Sequence, residues 1–269
     1  MSSVKPKQSL GQNFLVDENI ARNIVDSIAP KPNDIIVEIG PGQGALTKHL
    51  VKQAQTLVAF EIDGRVTESL QSQYGDSQIH ILHQDFLQAD LLQLSKQYNT
   101  KLRIVGNIPY HLTSEILFKI IDDRIAISDA TLMIQREVAD RLVSKPNTKE
   151  YGILAVASSF YGTIKKLFNV SPHCFYPQPN VTSAIIRFSL FDELPYPVNE
   201  KLLRIVIRTS FGKRRKMLRN SLLYLPFEES SIVRILARTE RWLTMRPEQL
   251  SVEQFVQLTN EIELALNDA

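Results

Sequence analysis

Short apolar runs recur along the first part of the chain at the spacing of buried strands. They are Ile35–Ile39, Leu57–Ile62, Ile79–Leu82, Leu102–Val105 and Ala130–Ile134. Nearly continuous apolar runs of this length are typical of parallel strands that are covered on both faces. The pattern therefore predicts a parallel sheet with helices packed against it.

Helix-like segments separate these runs and complete the alternation. The predicted helices are residues 17–29 with Asp17 as the cap, 45–53 after a glycine-rich turn, 65–73, and 113–121 with Thr113 or Ser114 as the cap. Strands that alternate with helices at this spacing indicate βαβ units and a doubly wound sheet. Two later runs, residues 163–168 and 183–190, predict an antiparallel pair at the sheet edge.

The pattern changes after Pro195 to helices alone. They are predicted over residues 202–210, 214–222, 230–236 and 252–266. The sequence therefore predicts a Rossmann-like, doubly wound α/β domain over residues 1–194 and a small, all-helical C-terminal domain over residues 195–269.

The composition is that of an ordinary globular protein, with 43% hydrophobic and 22% charged residues among 269. No apolar run reaches the roughly 18 residues that cross a bilayer, and the single cysteine, Cys174, cannot form an internal disulfide. The lysine-containing start has no apolar stretch behind it. We expect a cytoplasmic protein with no membrane segment. No surplus apolar surface is evident, so we also expect a monomer.

Positive charge is concentrated in one segment of the C-terminal domain. Lys201–Arg219 contains eight basic residues and no acid. A run of charge is often only a solvated helix face, and the alternative is a surface that contacts phosphate groups.

Three features at the ends of successive strands indicate a cofactor site. Gly40, Gly42 and Gly44 follow the first strand, where open α/β sheets bind ligands. Glu61 ends the second strand and can accept both hydroxyls of a ribose, and Asp85 follows the third, where it can accept an adenine amine. The spacing is G-x-G-x-G rather than the G-x-G-x-x-G of dinucleotide folds. This acid-lined loop favours cationic S-adenosylmethionine over NAD.

The tetrapeptide Asn107-Ile108-Pro109-Tyr110 follows the fourth strand. It is also a plausible turn. The amine of adenine is a poor nucleophile because its lone pair is conjugated with the ring. The Asn107 side-chain oxygen and the Ile108 or Pro109 carbonyl can accept its two N–H bonds and direct that lone pair at a methyl donor. Tyr110 can stack on the base, which must be unpaired or flipped out to reach the site.

These segments resemble the ribosomal RNA adenine N6,N6-dimethyltransferases, and among them the small-subunit enzymes. The resemblance covers nearly the whole chain through the motifs GQNFLVD, VEIGPGQGALT, FEID, QDF, GNIPY, QREVADRL, FYPQPNVTSA and FGKRRKMLRNSL. It implies dimethylation of two adjacent adenosines near the 3′ end of 16S rRNA within a 30S subunit precursor. It also implies a role in late subunit biogenesis.

The resemblance also implies roles for individual residues. Asn13 and Leu15 would close over the cofactor, Gly40 would lie against its methionine portion, and Asn107 would contact the cofactor as well as the target amine. Phe175 would stack on the target adenine opposite Tyr110, although an aromatic residue beside prolines is more often core packing. RNA contact would involve the basic strip, by which we mean Lys213, Arg214, Arg215, Lys216 and Arg219.

Three other functions compete with this interpretation. A non-catalytic assembly factor is disfavoured because the motif residues are intact, and a large-subunit methylase is disfavoured by the basic strip. A nicotinamide oxidoreductase is disfavoured by the glycine spacing. The five histidines show no metal-ligand grouping in the sequence, so we predict no metal site.

Overall fold

A computed structural model describes residues 4–75 and 79–268, and these residues form two compact units. The first unit comprises residues up to Ala139 together with 163–192, and the second comprises 140–162 together with 193–269. The predicted division at residues 194/195 lies two residues after the observed one at 192/193 and differs from it in a second respect. Residues 140–162 join the helical unit because the apolar segment 153–161 forms a helix rather than part of the sheet domain.

The described residues of the first unit form nine strands, and most of the helices there alternate with them. Its elements in the described residues are β1 (Phe14–Leu15), α1 (Glu18–Ile28), β2 (Ile35–Ile39), α2 (Thr47–Leu50), β3 (Thr56–Glu61), α3 (Gly64–Tyr74), β4 (Ile79–His83), α4 (Leu91–Tyr98), β5 (Leu102–Asn107), α5 (Thr113–Asp122), β6 (Ile127–Gln135), β7 (Gly162–Val170), β8 (Phe175–Tyr176) and β9 (Ser183–Leu190). Helix α6 (Arg136–Leu142) leads from this unit into the second.

The described strands of the main sheet lie in the order β4-β3-β2-β5-β6-β9-β7. Strands β2 to β6 pair in parallel, whereas β9 runs antiparallel to β6. The chain winds outward from β2 to β4 and then returns to β5 on the other side of β2. This reversal confirms the doubly wound prediction and creates a crevice at the carboxyl ends of β2 and β5, where such sheets bind ligands.

Helix α1 shows how the sequence pattern produces this packing. Asp17 caps it by accepting the N–H groups of Asn19 and Ile20, as predicted. Its buried face consists of Ala21, Ile24, Val25 and Ile28, at the spacing of one helical stripe. This stripe packs into the core formed by the sheet.

The second unit is helical. Its elements are α7 (Ile153–Tyr161), α8 (Glu200–Gly212), α9 (Leu218–Leu222), α10 (Glu229–Arg238) and α11 (Val252–Asn267). The rings of Phe211 and Phe255 stack at a centroid distance of 5.8 Å and join α8 to α11. No helix in the described ranges is long and apolar enough to cross a membrane.

The predicted helix over residues 214–222 is shorter in the structure and begins at Leu218. Two causes account for the difference. Arg215 and Arg219 would be like charges one turn apart on a continuous helix, which is unfavourable. In addition, the Arg214 side chain bonds to main-chain carbonyl groups of another segment, which fixes residues 213–217 as a turn.

Candidate active site

A cavity lies at the carboxyl ends of β2, β3 and β5 in the first unit. It encloses about 820 Å³ including the solvent at its mouth. Predicted site residues from five parts of the chain line it: Asn13, Gly40, Glu61, Asp85, and Asn107 with Pro109 and Tyr110. The structure therefore brings most of the predicted site together at the switch point of the sheet.

Gly40 and Gly42 shape the floor of this cavity. Both have positive φ angles, +59° and +54°, which L-residues with side chains rarely adopt. No heavy atom lies within 4 Å of a Cβ placed on Gly40, so a side chain there would project into open space at the cavity wall. A Cβ on Gly42 would lie 2.9 Å from the ring of Phe14. The loop is therefore a cradle whose backbone is exposed to whatever fills the cavity.

Glu61 is a buried carboxylate at the end of β3, with 5% of its surface exposed. Its Oε1 atom accepts the N–H groups of Ile62 and Asp63, both at 2.9 Å. Its Oε2 atom has only a long contact of 3.4 Å from the Gly42 N–H. Burial raises the pKa of this carboxyl, and the three backbone N–H groups oppose the rise. Oε2 thus keeps acceptor capacity toward the cavity.

Asp85 stands one strand further along, after β4. Its Oδ1 atom accepts the N–H of Leu87 at 2.9 Å and caps a single helical turn. No described residue bonds to its Oδ2 atom, and the half-buried side chain lines the cavity. A free carboxylate oxygen can accept an exocyclic amine.

The residues present fit S-adenosylmethionine. Glu61 offers a buried acceptor for ribose hydroxyls, Asp85 offers an acceptor for the adenine amine, and Gly40 leaves space that a Cβ would fill. Both side chains are acidic, which suits a cationic ligand. Within residues 4–75 and 79–268, no cluster of His, Cys, Asp or Glu could hold a metal ion.

Asn107 is fixed by its amide group. Its Nδ2 atom donates to the Asn13 carbonyl at 2.9 Å. This bond defines which end of the amide is the acceptor, and Oδ1 has no partner among the described residues. The Pro109 carbonyl already accepts the Leu112 N–H at 3.0 Å. Of the two carbonyl groups that the sequence left open, Ile108 is therefore the less engaged.

A second cleft adjoins the cavity and shares Gly11, Gln12, Asn13 and Tyr110 with it. Its remaining walls are Pro6, Gln135 and residues 177–181. Tyr110 thus stands between the two spaces. A planar base that entered the second cleft would meet the Tyr110 ring on its way to Asn107.

Ser183 holds the Tyr110 side chain from behind. The two hydroxyl oxygens are 2.7 Å apart, and Ser183 is completely buried in β9. Burial also raises the pKa of Tyr110, so its hydroxyl stays protonated at neutral pH. Sequence reasoning missed Ser183, although it lies inside the quoted motif FYPQPNVTSA.

We expect Ser183→Ala to lower the rate of methyl transfer about tenfold, the worth of one hydrogen bond that orients the ring. Ser183→Thr keeps the hydroxyl and should restore most of the loss. Tyr110→Phe removes the same bond, so adding Ser183→Ala to it should cause little further change. Steady-state kinetics would measure this, and equal losses in Ser183→Ala and Ser183→Thr would contradict it.

An N-terminal strap, residues 4–13, contributes its last four residues to the wall of the cavity. Gln12 donates to Asp63 at 3.2 Å, and Lys7 forms an ion pair with the same carboxylate at 3.5 Å. The carbonyl groups of Val4 and Lys5 accept from Gln43 and Arg65. The bond from Arg65 to the buried Asp63 carboxylate lowers the pKa of Asp63 well below its usual range, so this anchor stays ionised.

Two of the predicted catalytic and cofactor-binding residues line neither the cofactor cavity nor the second cleft. Phe175 is 4% exposed and belongs to the hydrophobic core. Its strand β8 pairs with β1, which places Leu15 opposite Phe175. Leu15 is also buried, and it lines a smaller adjoining cavity with Gly40 and Asn107. The exposed aromatic side chain of β8 is Tyr176, whereas the Phe175 ring is buried. Stacking of Phe175 on the target adenine therefore stays a prediction.

Glu38 is a buried carboxylate that sequence reasoning left aside. It lies in β2 with 2% of its surface exposed and accepts from the Thr47 hydroxyl at 2.8 Å. It lines the smaller cavity below the glycine loop. Burial raises its pKa to about 7, and the neighbouring Glu61 adds to the rise.

This raised pKa predicts a pH-dependent stability. In the folded state Glu38 holds its proton to about pH 7, whereas an unfolded glutamate loses it near pH 4.5. The free energy of unfolding should therefore fall by about 3 kcal/mol between these values, and Glu38→Gln should remove that fall. Denaturant unfolding at pH 5 and pH 8 measures it, with the exposed Glu68→Gln as control. Parallel pH profiles for wild type and Glu38→Gln would refute the assignment.

The basic strip lies in the second unit, in the turn between α8 and α9 and, at Arg219, in α9 itself. Four of its members are exposed, whereas Arg214 is half-buried. Lys213 lies over the ring of exposed Tyr224, 4.9 Å from its centroid. One Arg214 nitrogen donates to the carbonyl oxygens of Thr148, at 3.2 Å, and Lys149. The strip is therefore a short, mostly exposed segment in which Arg214 is tied to the main chain of residues 148 and 149.

The family model for ribosomal RNA adenine dimethylases matches residues 3–264 of this chain. The chain is 38% identical to ribosomal RNA small subunit methyltransferase A of Bacteroides thetaiotaomicron, covering all of this chain and 98% of that protein. It is 41% identical to the protein of the same name from a Geobacillus species, over 97% of this chain and 92% of the other.

Two crystal structures share the fold. A dimethyladenosine transferase from Plasmodium falciparum superposes with a TM-score of 0.81 at 23% identity, covering 94% of this chain and 98% of the other. The 23S rRNA methyltransferase ErmE superposes with a TM-score of 0.66 at 24% identity, covering 93% of this chain and 100% of the other.

Proposed function

This chain belongs to the ribosomal RNA adenine dimethylase family, and from that premise we propose that its target is the small-subunit RNA. Its relatives at about 40% identity are named as small-subunit methyltransferases. We propose that it dimethylates two adjacent adenosines near the 3′ end of 16S rRNA within a 30S precursor. We also propose that it acts in the cytoplasm, at a late stage of subunit biogenesis.

The enzyme is an S-adenosylmethionine-dependent methyltransferase that modifies adenine in ribosomal RNA. When bound, this cofactor supplies an electrophilic methyl group on a sulfonium that leaves readily. We assign its ribose to Glu61 and its adenine to Asp85, and we place its methionine portion along the loop at Gly40. The assignments to Glu61 and Asp85 rest on the acceptor capacity of their Oε2 and Oδ2 atoms. The assignment to Gly40 rests on the open space beside it.

We assign binding and orientation of the target amine to Asn107 and Ile108. The Asn107 Oδ1 atom and the Ile108 carbonyl accept its two N–H bonds, which favours a pyramidal nitrogen with its lone pair directed into the cavity. The amine becomes acidic as it is alkylated, so acceptors suffice and no strong base is needed. Tyr110, held by Ser183, provides the surface on which the flipped-out base stacks. Pro109 fixes the backbone between these groups.

We assign RNA backbone contacts to the exposed members of the basic strip. Clustered cations on one surface displace counterions from the RNA, so binding should depend steeply on salt. The strip follows the backbone and carries no base recognition, which suits a helical unit that reads RNA shape.

The observation that carries this function is that the cavity lined by Asn107 and the adjoining cleft share Tyr110 in their walls. The test is transfer of labelled methyl groups to 30S subunits that lack the modification, followed by nucleoside analysis. Modified 30S subunits, 50S subunits and naked 16S rRNA serve as comparisons. N6,N6-dimethyladenosine that appears only with unmodified 30S subunits supports the proposal. Transfer to 50S subunits instead would overturn the choice of target, and no transfer despite binding would favour an assembly factor.

A further inference from the structure

The segment that joins α6 to α7 is an exposed loop with a fixed shape. Asn147 has a φ of +68°, and its N–H donates to the Glu248 carbonyl at 2.8 Å. The Thr148 hydroxyl donates to the Lys145 carbonyl at 2.7 Å. Residues 145–150 form no helix or strand, so these side-chain and main-chain bonds define the loop.

Tyr151 anchors the end of this loop in the core of the second unit. Its hydroxyl donates to the Leu250 carbonyl at 3.0 Å, and its ring packs edge-on against Phe211 at a centroid distance of 6.3 Å. Phe211 lies in the last turn of α8, immediately before the basic strip. The loop is therefore held beside the strip from within the same unit.

Arg214 makes the connection between the two segments directly. Its Nη2 atom donates to the carbonyl oxygens of Thr148 and Lys149, and the side chain is half-buried by this contact. A guanidinium group that is bonded to main-chain oxygens has fewer donors left for phosphate. The contact also brings the Lys149 backbone to the surface of the strip.

Two lysines of the loop enlarge the positive surface at this point. Lys145 and Lys149 are exposed, and neither forms an ion pair with any residue that the structure describes. Glu150 is the neighbouring acid in the loop and is exposed as well. Flexible, hydrated lysine side chains on a fixed backbone suit phosphate groups, which vary in position along an RNA strand.

We propose that Lys145 and Lys149 contact the RNA backbone together with the basic strip, and that Arg214 acts mainly as the tie that holds them there. This inference rests on the proposed function because it names a further part of the same RNA-binding surface. The two lysines lie about 65 positions before the strip in the sequence, so the run of basic residues did not indicate them. The Arg214 bonds join the two segments in the fold.

The test is binding of the full-length protein to unmodified 30S subunits at salt concentrations between about 50 and 200 mM. Lys149→Glu should weaken binding about tenfold at the lower salt and reduce the slope of log affinity against log salt by about 1. Lys201→Glu is the matched control because it makes the same charge change at an exposed site, about 18 Å from the strip along α8 at 1.5 Å per residue. Equal salt slopes for Lys149→Glu and the wild type would overturn the proposal.

Arg214→Lys separates a tie from a phosphate ligand, because it keeps the charge but shortens the side chain and removes the Nη2 atom that donates to both carbonyl oxygens. We expect faster hydrogen exchange at residues 148–151 and a loss of affinity close to that of Lys149→Glu. Weaker binding with unchanged exchange would make Arg214 itself the ligand and overturn the tie. Unchanged binding and exchange would overturn it as well.

Lys216→Glu distinguishes this inference from the proposed function. If Lys216→Glu weakens binding while Lys149→Glu behaves as the wild type, only the loop assignment fails. If the wild type neither methylates 30S subunits nor binds them in a salt-dependent way, the proposed function fails and the loop assignment fails with it.

Discussion

Replacement of Asn107 by alanine is expected to lower the rate of methyl transfer by about 10²–10³-fold while cofactor binding persists. The substitution removes the side-chain oxygen to which we assign the target amine, in the wall of the cofactor cavity. It leaves Glu61 and Asp85, to which we assign the cofactor, untouched. The loss should therefore appear in kcat with a single-turnover assay, whereas calorimetry should still detect cofactor binding.

Asn23→Ala is the matched control for this substitution. Asn23 lies exposed on α1 in the same unit and lines neither cavity. Thermal unfolding of both variants would show whether loss of the Asn107–Asn13 bond affects stability. Full methyl-transfer activity in Asn107→Ala would exclude the assigned role, because no other described side chain offers that acceptor at the same position.

Glu61→Gln is expected to weaken S-adenosylmethionine binding by about 10- to 100-fold. Hydrogen bonds to a charged group contribute about 1.5–3 kcal/mol each, and the substitution exchanges a carboxylate for a neutral amide. Glutamine keeps one oxygen for the N–H groups of Ile62 and Asp63, which limits the structural damage that alanine would cause. Isothermal titration at neutral pH measures the change in Kd.

The exposed Glu68→Gln provides the control for Glu61→Gln, since it makes the same change on α3 away from the cavity. The raised pKa of Glu61 adds a second signature. Wild-type affinity for the cofactor should fall as the pH drops through that pKa, because the protonated carboxyl accepts less well, whereas Glu61→Gln should lack this part of the pH dependence. An unchanged Kd in Glu61→Gln would remove the carboxylate from the ribose site.

The parts of this molecule that the sequence predicted are those set by local pattern. The apolar runs define β2, β3, β5 and β6 because strands covered on both faces bury most of their side chains. They also define β4, which lies at the sheet edge and buries Ile79 and Ile81. Asp17 defines the start of α1 through its cap. Gly40, Glu61, Asp85 and Asn107 each stand at the end of a strand, and parallel strands bring their ends to one edge.

Other features depend on contacts between distant residues and carry no local signal. Phe175 pairs with the short strand at Leu15, and this pairing buries the ring that the motif suggested would stack. Arg214 belongs to a run of basic residues, yet its side chain bonds to the main chain of residues 148 and 149 and so ties two distant segments together. The helix over 153–161 is apolar nearly all around, so its pattern did not reveal which unit it joins.

The strap has a consequence for whether the base is released between the two methyl additions. Each adenine needs two molecules of cofactor, and Gly11, Gln12 and Asn13 wall both the cofactor cavity and the cleft that we assign to the base. A movement of residues 11–13 that lets spent cofactor leave would also withdraw the Asn13 carbonyl from Asn107. The enzyme is therefore expected to work distributively, releasing a singly methylated base and adding the second methyl group in a new encounter.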